Sequence, residues 1–320
     1  MFENTDAYVG PAAGVATSVL WTATSLLFTA AGRRLGPVTV NAVRIVLAIA
    51  LLAVTLRLRF DIWLPDALAR QVVFLAISGI VGLSIGDQAL FTAFVDIGPR
   101  LTVLIMTTSP LFAAFFGWIA LDESLSGLAW VGIALTLGGI AWVVMGRPPR
   151  VGVPEAAAAH HTRGLFLAFV GAACQAGGLL LSKQGMGHGW LPEQERMNPQ
   201  AATLVRMIFA GVGMVPIVMW HRARRRRTTA RRVTPDRSAW SAGMALTFAG
   251  AVVGPYLGVW MSLVAADGAS LGVAQTLCSL SPIFILPCVA LLYKERVSAR
   301  AVLGALVTVG GAVLLIFGSR

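Results

Sequence analysis

The sequence predicts an all-α integral membrane protein with ten transmembrane helices, arranged as two inverted five-helix repeats. Three observations predict this fold: a very apolar composition, ten apolar runs of membrane-spanning length, and an internal repeat. Hydrophobic residues make up 57% of the 320 residues and charged residues 12%, and the mean hydropathy is +0.78. Soluble domains carry about 25% charged residues, and a soluble protein this apolar would expose large apolar patches.

The apolar residues form ten runs, and a bilayer core needs about 20 apolar residues per helix. The runs lack the short alternation of transmembrane β-strands. No basic segment precedes the first run, so we expect a retained span rather than a signal peptide. The predicted spans are residues 10–31, 38–56, 72–95, 101–121, 127–146, 164–184, 200–220, 240–264, 270–292 and 298–317.

The two halves of the chain share residues at a constant spacing. Near the start of each half, a shift of 162 residues aligns Pro37 and Arg44 with Pro199 and Arg206. Further on, a shift of 172 aligns Gly82 with Gly254, Ser109-Pro110 with Ser281-Pro282, Glu123 with Glu295 and Gly138-Gly139 with Gly310-Gly311. We therefore expect a first repeat over 1–146, a linker over 147–163 and a second repeat over 164–320.

Each repeat has five predicted spans. Because five is an odd number, the second repeat must have the opposite orientation in the membrane. Inverted repeats are typical of secondary transporters, whose solute site lies between the halves near the midplane. The sequence has no phosphate-binding loop of the P-loop type, so we expect coupling to an ion gradient, to exchange or to the solute's own gradient. A non-transporting membrane scaffold or partner subunit remains an alternative.

An integral-membrane enzyme is a weaker alternative, and we expect no enzyme. The four histidines, His160, His161, His188 and His221, lie in or beside loops and do not group with acids. Residues 82–86 match the G-x-S-x-G pattern of hydrolases, but that pattern needs a strand–turn–helix context. Its counterpart at 254–258 keeps only the glycines, which favours a close-packing motif of membrane helices.

Short motifs, each present twice, resemble the EamA-type transporters of the drug/metabolite transporter superfamily. The first copy reads Ser109-Pro110-Leu111-Phe112, then Leu121-Asp122-Glu123-Ser124-Leu125, then Gly132 and Gly138-Gly139. The second copy runs from Ser281-Pro282 through Glu295 to Gly310-Gly311. The resemblance implies ten helices and a central cavity lined by spans one to four and six to nine. It also implies peripheral fifth and tenth spans, and export or exchange of amino acids, metabolites or drugs.

Charged residues within the predicted spans are the first site candidates. Asp87, followed by Gln88, lies well inside the third span, where an ionisable group is costly and therefore indicates a functional site. Its carboxylate could carry a coupling proton, or it could be an acid bonded to neighbouring helices. Arg44 and Arg206 could bind an anionic group. Because both repeats keep this arginine, a structural role is slightly favoured.

Further polar and aromatic residues are candidates because solute sites are mostly apolar with a few placed polar groups. Each could instead make an interhelical hydrogen bond or lie at the headgroup level. Prolines within spans are hinge candidates, or static kinks. The pathway candidates are Trp21, Asn41, Gln175, Tyr256, Trp260 and Gln275, and the hinge candidates are Pro110, Pro255 and Pro282.

The net charge of +11 comes partly from an arginine run between the seventh and eighth spans. Such a run between two spans indicates a cytoplasmic loop near anionic lipid rather than a nucleic-acid site. It comprises Arg222, Arg224, Arg225, Arg226, Arg227, Arg231, Arg232 and Arg237. Loop arginines favour both termini outside, whereas the family resemblance favours both inside, so the orientation stays open.

We expect a multi-pass protein of a prokaryotic plasma (inner) membrane whose partners are a small-molecule solute, membrane lipid and, if Asp87 titrates, a coupling proton. We expect no cofactor and no metal. The three cysteines, Cys174, Cys278 and Cys288, lie in apolar runs without metal-site spacing. Substrate, transport direction, coupling ion and oligomeric state are not encoded in any motif.

Overall fold

Helices form all of the regular secondary structure in the residues that the computed structural model describes. These residues are 6–121, 126–145, 155–188, 196–227, 237–268, 271–281, 284–285, 288, 291 and 299–318. Six of the described helices are long and apolar enough to cross a membrane, and shorter apolar helices lie at Trp130–Gly139 and Val302–Gly311. The predicted all-helical membrane fold is confirmed, while the count of ten spans stays a prediction.

The first half begins with α1 at Asp6–Leu35 and α2 at Pro37–Phe60. They are followed by α3 at Ala69–Ile97, α4 at Pro99–Met106, α5 at Ser109–Leu121 and α6 at Gly127–Met145. Gly36 and Gly98 have φ values of 83° and 81°, a backbone conformation that favours glycine. The proline after each glycine has a φ already suited to the first helical turn, so α2 and α4 start there.

The second half comprises α7 at Glu155–Gly185, α8 at Pro199–Arg227 and α9 at Arg237–Gly268. It ends with α10 at Leu271–Cys278 and α11 at Ala299–Gly318. Helix α7 begins at Glu155, inside the segment 147–163 that the sequence predicts as a linker. The domain boundaries themselves stay predictions.

Both halves interrupt the α-helix at corresponding places. A π-helical segment at Gly79–Gly86 in α3 corresponds, 172 residues later, to one at Val252–Gly258 in α9. A turn at 107–108 separates α4 from α5, and the equivalent residues 279–280 form a turn after α10. Irregular backbone at membrane depth is tolerated where it is buried in protein or lines a cavity, so these four places indicate the site.

Two pairs of equivalent helices run antiparallel. In the pair α6 and α11, Thr136 Oγ1 donates a hydrogen bond of 3.3 Å to the carbonyl of Thr308, while Gly139 approaches Gly304 and Gly311 approaches Gly132. In the pair α2 and α8, Gln200 near the start of α8 donates a bond of 2.9 Å to Thr55 near the end of α2. Antiparallel contact between equivalent helices is what an inverted repeat requires.

The two halves are interlocked rather than side by side. Helix α3 packs on α7 and α8, and α1 packs on α9 and α10. Glycines permit the close approach, since a Cβ added to Gly86 would lie 2.6 Å from Cys174 Cβ, and one added to Gly79 would lie 2.2 Å from the Arg206 carbonyl oxygen. Ser84 donates a hydrogen bond of 2.7 Å to the Ala210 carbonyl. Residues 82–86, which match the G-x-S-x-G pattern, therefore form a helix-packing contact.

Candidate functional site

An ion pair between Arg44 and Asp87 lies at the centre of the helical bundle. Arg44 comes from α2, and Asp87 directly follows the π-helical segment of α3. The Arg44 Nη2 atom donates to Asp87 Oδ2, and the two residues are only 2% and 4% exposed. Gln175 of α7 donates from Nε2 to Asp87 Oδ1 at 2.9 Å. Three predicted candidates from three helices therefore meet around one carboxylate.

The Arg44 guanidinium has further partners that fix its position. Its Nε donates to Asn41 Oδ1 at 2.9 Å, and its Nη2 also donates to the Leu83 carbonyl at 3.3 Å. Its Cζ lies 4.7 Å from the ring centroid of Phe91 and 5.9 Å from that of Phe28. Aromatic faces attract a cation, and this attraction is stronger away from water.

Asn41 links the ion pair to Gln88. Its Nδ2 lies 3.4 Å from Gln88 Oε1, and Gln88 Nε2 donates to Thr92 Oγ1 at 3.3 Å. Neither Asn41 nor Gln88 is among the residues that line the central cavity. In this structure both support the Arg44–Asp87 pair rather than face the space that a solute would occupy.

A central cavity adjoins the ion pair. The cavity volume is about 90 Å³, several times the space that a single water needs. Trp21, Arg44, Asp87, Gln175 and Gln275 line it, together with apolar side chains that include Phe28, Phe91, Phe94, Leu90 and Val103. An apolar wall with a few convergent polar groups is typical of a small-molecule site.

Gln275 of α10 forms a separate hydrogen-bonded group in the cavity wall. Its Nε2 donates to Ser109 Oγ at 2.8 Å, and Ser109 Oγ donates to the Ala172 carbonyl at 3.1 Å. In the other half, Ser281 Oγ donates to the Ser18 carbonyl at 3.0 Å. Ser109 and Ser281 were not predicted as site residues, although the duplicated Ser-Pro motif could have indicated them.

Arg206 is as buried as Arg44 but has unpartnered N–H groups. It is 2% exposed, and its Nε and Nη2 have no hydrogen-bond partner among the described residues. Its Nη2 occupies the space left by two glycines, since a Cβ on Gly82 or Gly178 would lie 2.8 or 2.9 Å from it. The charges of both Asp87 and Arg44 are close enough to interact with that of Arg206. The repeat counterpart of Asp87 is Val259, so the second half supplies no equivalent acid.

Tyr256 and Trp260 do not line the cavity. Their rings lie 6.2 Å apart, and Arg59 Cζ lies 5.5 Å from the Trp260 ring centroid, at the end of α2. Helical rotation explains their position, because neighbouring residues of α9 point in different directions. Pro255, in the π-helical segment, does line the cavity.

Of the other two hinge candidates, the structure describes Pro110 but not Pro282. Pro110 is the second residue of α5, immediately after the break at 107–108. Pro282 lies outside the described residues. Within the described ranges, no three His, Cys, Asp or Glu side chains lie close enough together to hold a metal ion.

The fold and the site together define a multi-pass integral membrane protein, built from two interlocked repeats around a buried ionic cluster and a cavity. The sequence model of the EamA-like transporter family matches residues 9–145 and 162–317. The chain belongs to this family. The predicted resemblance is thereby confirmed, and its two matches cover both halves of the chain.

Solved structures share the fold. One of them, described only as a crystal structure of a protein, aligns with a TM-score of 0.66 over 97% of both chains at 16% sequence identity. A likeness at this identity concerns the fold alone. The comparison with curated proteins found no match.

Proposed function

We propose that the protein is a secondary transporter, an exporter or exchanger, which moves a small metabolite, amino acid or drug-like solute by alternating access. The observation that carries this proposal is the Arg44–Asp87–Gln175 cluster, which joins both halves at the wall of the cavity. Buried ionisable groups in a membrane protein are expensive and mark solute or ion pathways. Membership of a transporter family supports transport in general.

Asp87 is the group that would carry a coupling proton. Arg44 and Gln175 hold its two carboxylate oxygens, Arg206 lies within electrostatic range, and Cys174 lies on the facing helix. Protonation of Asp87 would remove the charge that holds Arg44 in place. The ion pair would then open when the proton arrives and reform when it leaves, which would couple proton movement to access to the cavity.

The helix interruptions would supply the movement. Pro255 lies within the π-helical segment of α9, and Pro110 follows the break between α4 and α5. Both places border the cavity, so bending there would move one end of a span relative to the other. In this proposal the protein works in a prokaryotic plasma membrane.

Reconstitution of the full chain into proteoliposomes tests the proposal. We expect a panel of labelled amino acids, sugars and drugs to include at least one solute that enters vesicles and exchanges with internal solute. Asp87→Asn is the matched variant, because it keeps the size of the side chain and removes its charge. A folded protein that moves no solute of the panel would favour the scaffold or partner-subunit alternative.

A further inference from the structure

We propose that the cavity binds a solute with one carboxylate and a net charge of −1, which replaces Asp87 on Arg44 while Asp87 turns to Arg206. This inference rests on the proposed transport function, since it names the class of solute that the same site takes. It is carried by the charges buried at the site and by the unpartnered N–H groups of Arg206.

The site contains two buried arginines and one buried acid. Arg44, Arg206 and Asp87 are 2%, 2% and 4% exposed. While Asp87 is ionised, one carboxylate faces two guanidinium groups, and the site keeps a charge of +1 without a solute. A charge taken out of water is costly unless an opposite charge accompanies it. A solute with a charge of −1 would neutralise the site, whereas a neutral or cationic solute would leave the excess in place.

The Arg206 guanidinium lies about one helical turn from Asp87. Its Nη2 lies between Gly82 of α3 and Gly178 of α7. Asp87 is one π-helical turn beyond Gly82 on α3, and its partner Gln175 is about one turn from Gly178 on α7. The unpartnered Nη2 atom of Arg206 therefore lies about one turn from the Asp87–Gln175 hydrogen bond. Rotation of the Asp87 side chain would exchange one guanidinium partner for the other.

Arg44 is the guanidinium that a solute can reach, because it lines the cavity and Arg206 does not. A planar guanidinium binds a carboxylate with two parallel hydrogen bonds. The walls beside it include Phe28, Phe91 and Phe94, which suit an apolar or aromatic body. Benzoate combines these two features and is a suitable probe.

Thermal unfolding of the purified full chain in detergent tests the class of solute. The additions are sodium benzoate, benzamide, benzylamine hydrochloride and sodium chloride, with ionic strength held constant. We expect benzoate to raise the unfolding temperature in a saturable manner and the other three to leave it unchanged. An equal rise with benzamide would show that the carboxylate is not recognised. An equal rise with benzylamine or with chloride would also overturn the proposal.

A matched pair of variants at Val259 tests the charge balance without changing Arg44, Arg206 or Asp87. Val259 lines the cavity, and Val259→Asp would supply the missing negative charge, while Val259→Asn adds a polar group of similar size. We expect benzoate binding to weaken by at least about tenfold in the Asp variant relative to the Asn variant. Equal benzoate affinity in the two folded variants would overturn the proposal.

If Val259→Asp does not fold, a second pair of variants, at Arg206, tests the charge balance. Arg206→Gln removes the excess charge, and Arg206→Lys keeps it. We expect benzoate to stabilise the Lys variant more than the Gln variant, and the reverse order would contradict the proposal.

The transport assay separates this inference from the proposed function. Saturable benzoate binding without movement of any solute in proteoliposomes would remove the proposed function and keep the anion site. Transport of neutral solutes by a protein that does not bind benzoate would remove the anion site and keep the proposed function.

Discussion

Gln175 of the second repeat donates a hydrogen bond of 2.9 Å to Asp87 of the first repeat. The carboxylate that Arg44 of the first repeat holds is therefore also held by the other half of the molecule. In the proposed alternating access, a movement of α3 against α7 would lengthen or break this contact.

Asp87→Asn is expected to separate transport from its dependence on the proton gradient. The amide keeps the size of the side chain but cannot release a proton. We expect accumulation driven by a proton gradient to be lost and its pH dependence to disappear, while exchange of solute for solute continues. Transport by the variant that keeps the wild-type pH profile would contradict a coupling role for Asp87. Folding of the variant is checked by gel filtration in detergent.

Arg44→Ala is expected to destabilise the protein by about 1–3 kcal/mol, because Asn41 Oδ1 and the Leu83 carbonyl lose their buried donor even if Asp87 turns to Arg206. The exposed pair of Arg57 and Asp61 is the control, since both side chains contact solvent and Arg57→Ala should cost less than about 1 kcal/mol. The free energy of unfolding is measured by titration with SDS. Equal costs for the two alanine variants would show that burial does not strengthen the Arg44–Asp87 interaction.

Alanine substitutions at two adjacent glycines of α6 are expected to change the free energy of unfolding in opposite directions. A Cβ on Gly139 would lie 2.5 Å from Thr308 Oγ1 and 2.9 Å from the Gly304 carbonyl oxygen, whereas a Cβ on Gly138 meets nothing within 4 Å. Gly138→Ala should stabilise the helix by about 0.5–1 kcal/mol. Gly139→Ala should destabilise by about 1–3 kcal/mol, because α6 and α11 are forced apart. Stabilisation by both variants would contradict the close antiparallel contact.

Cross-linking tests the contact between α6 and α11 directly. Cysteines introduced by Thr136→Cys and Thr308→Cys, in a chain without its native cysteines, should form a disulfide under mild oxidation because the two residues are hydrogen-bonded neighbours. The control combines Thr308→Cys with Leu137→Cys, since Leu137 is 46% exposed and lies on the outer face of α6. Equal cross-linking of the two pairs would show that α6 and α11 do not hold this register.

Much of the fold could be predicted from local patterns. Runs of apolar residues predict membrane helices because hydrocarbon excludes unpaired backbone groups, and the runs 38–56 and 200–220 lie within α2 and α8. The internal repeat aligned Gly82 with Gly254, and the π-helical segments at Gly79–Gly86 and Val252–Gly258 occur at the same register, although no such segments were predicted. The fourth and ninth spans were predicted as continuous runs, but turns at 107–108 and 279–280 interrupt them.

The candidate site was predictable in part. Asp87 and Arg44 were identified separately because charge at membrane depth is rare, but their pairing was not predicted. Tyr256 and Trp260 were grouped with the cavity, yet they lie away from it near the end of α2. Ser109, which bonds Gln275, was identified only as part of the duplicated Ser-Pro motif. These differences depend on how each helix is rotated about its axis, which a single apolar helix does not specify.

The amino-acid sequence by itself determined the membrane class, the two repeats and the presence of charged residues inside the spans, because each depends on local hydrophobicity and on spacing along one chain. The tertiary structure alone decided that Asp87 pairs with Arg44 and not with Arg206, and that Gln175 from the other repeat completes the site. The physical reason is that these partners come from different helices. Their meeting depends on the packing of α2, α3, α7 and α8, which places one carboxylate between two buried arginines.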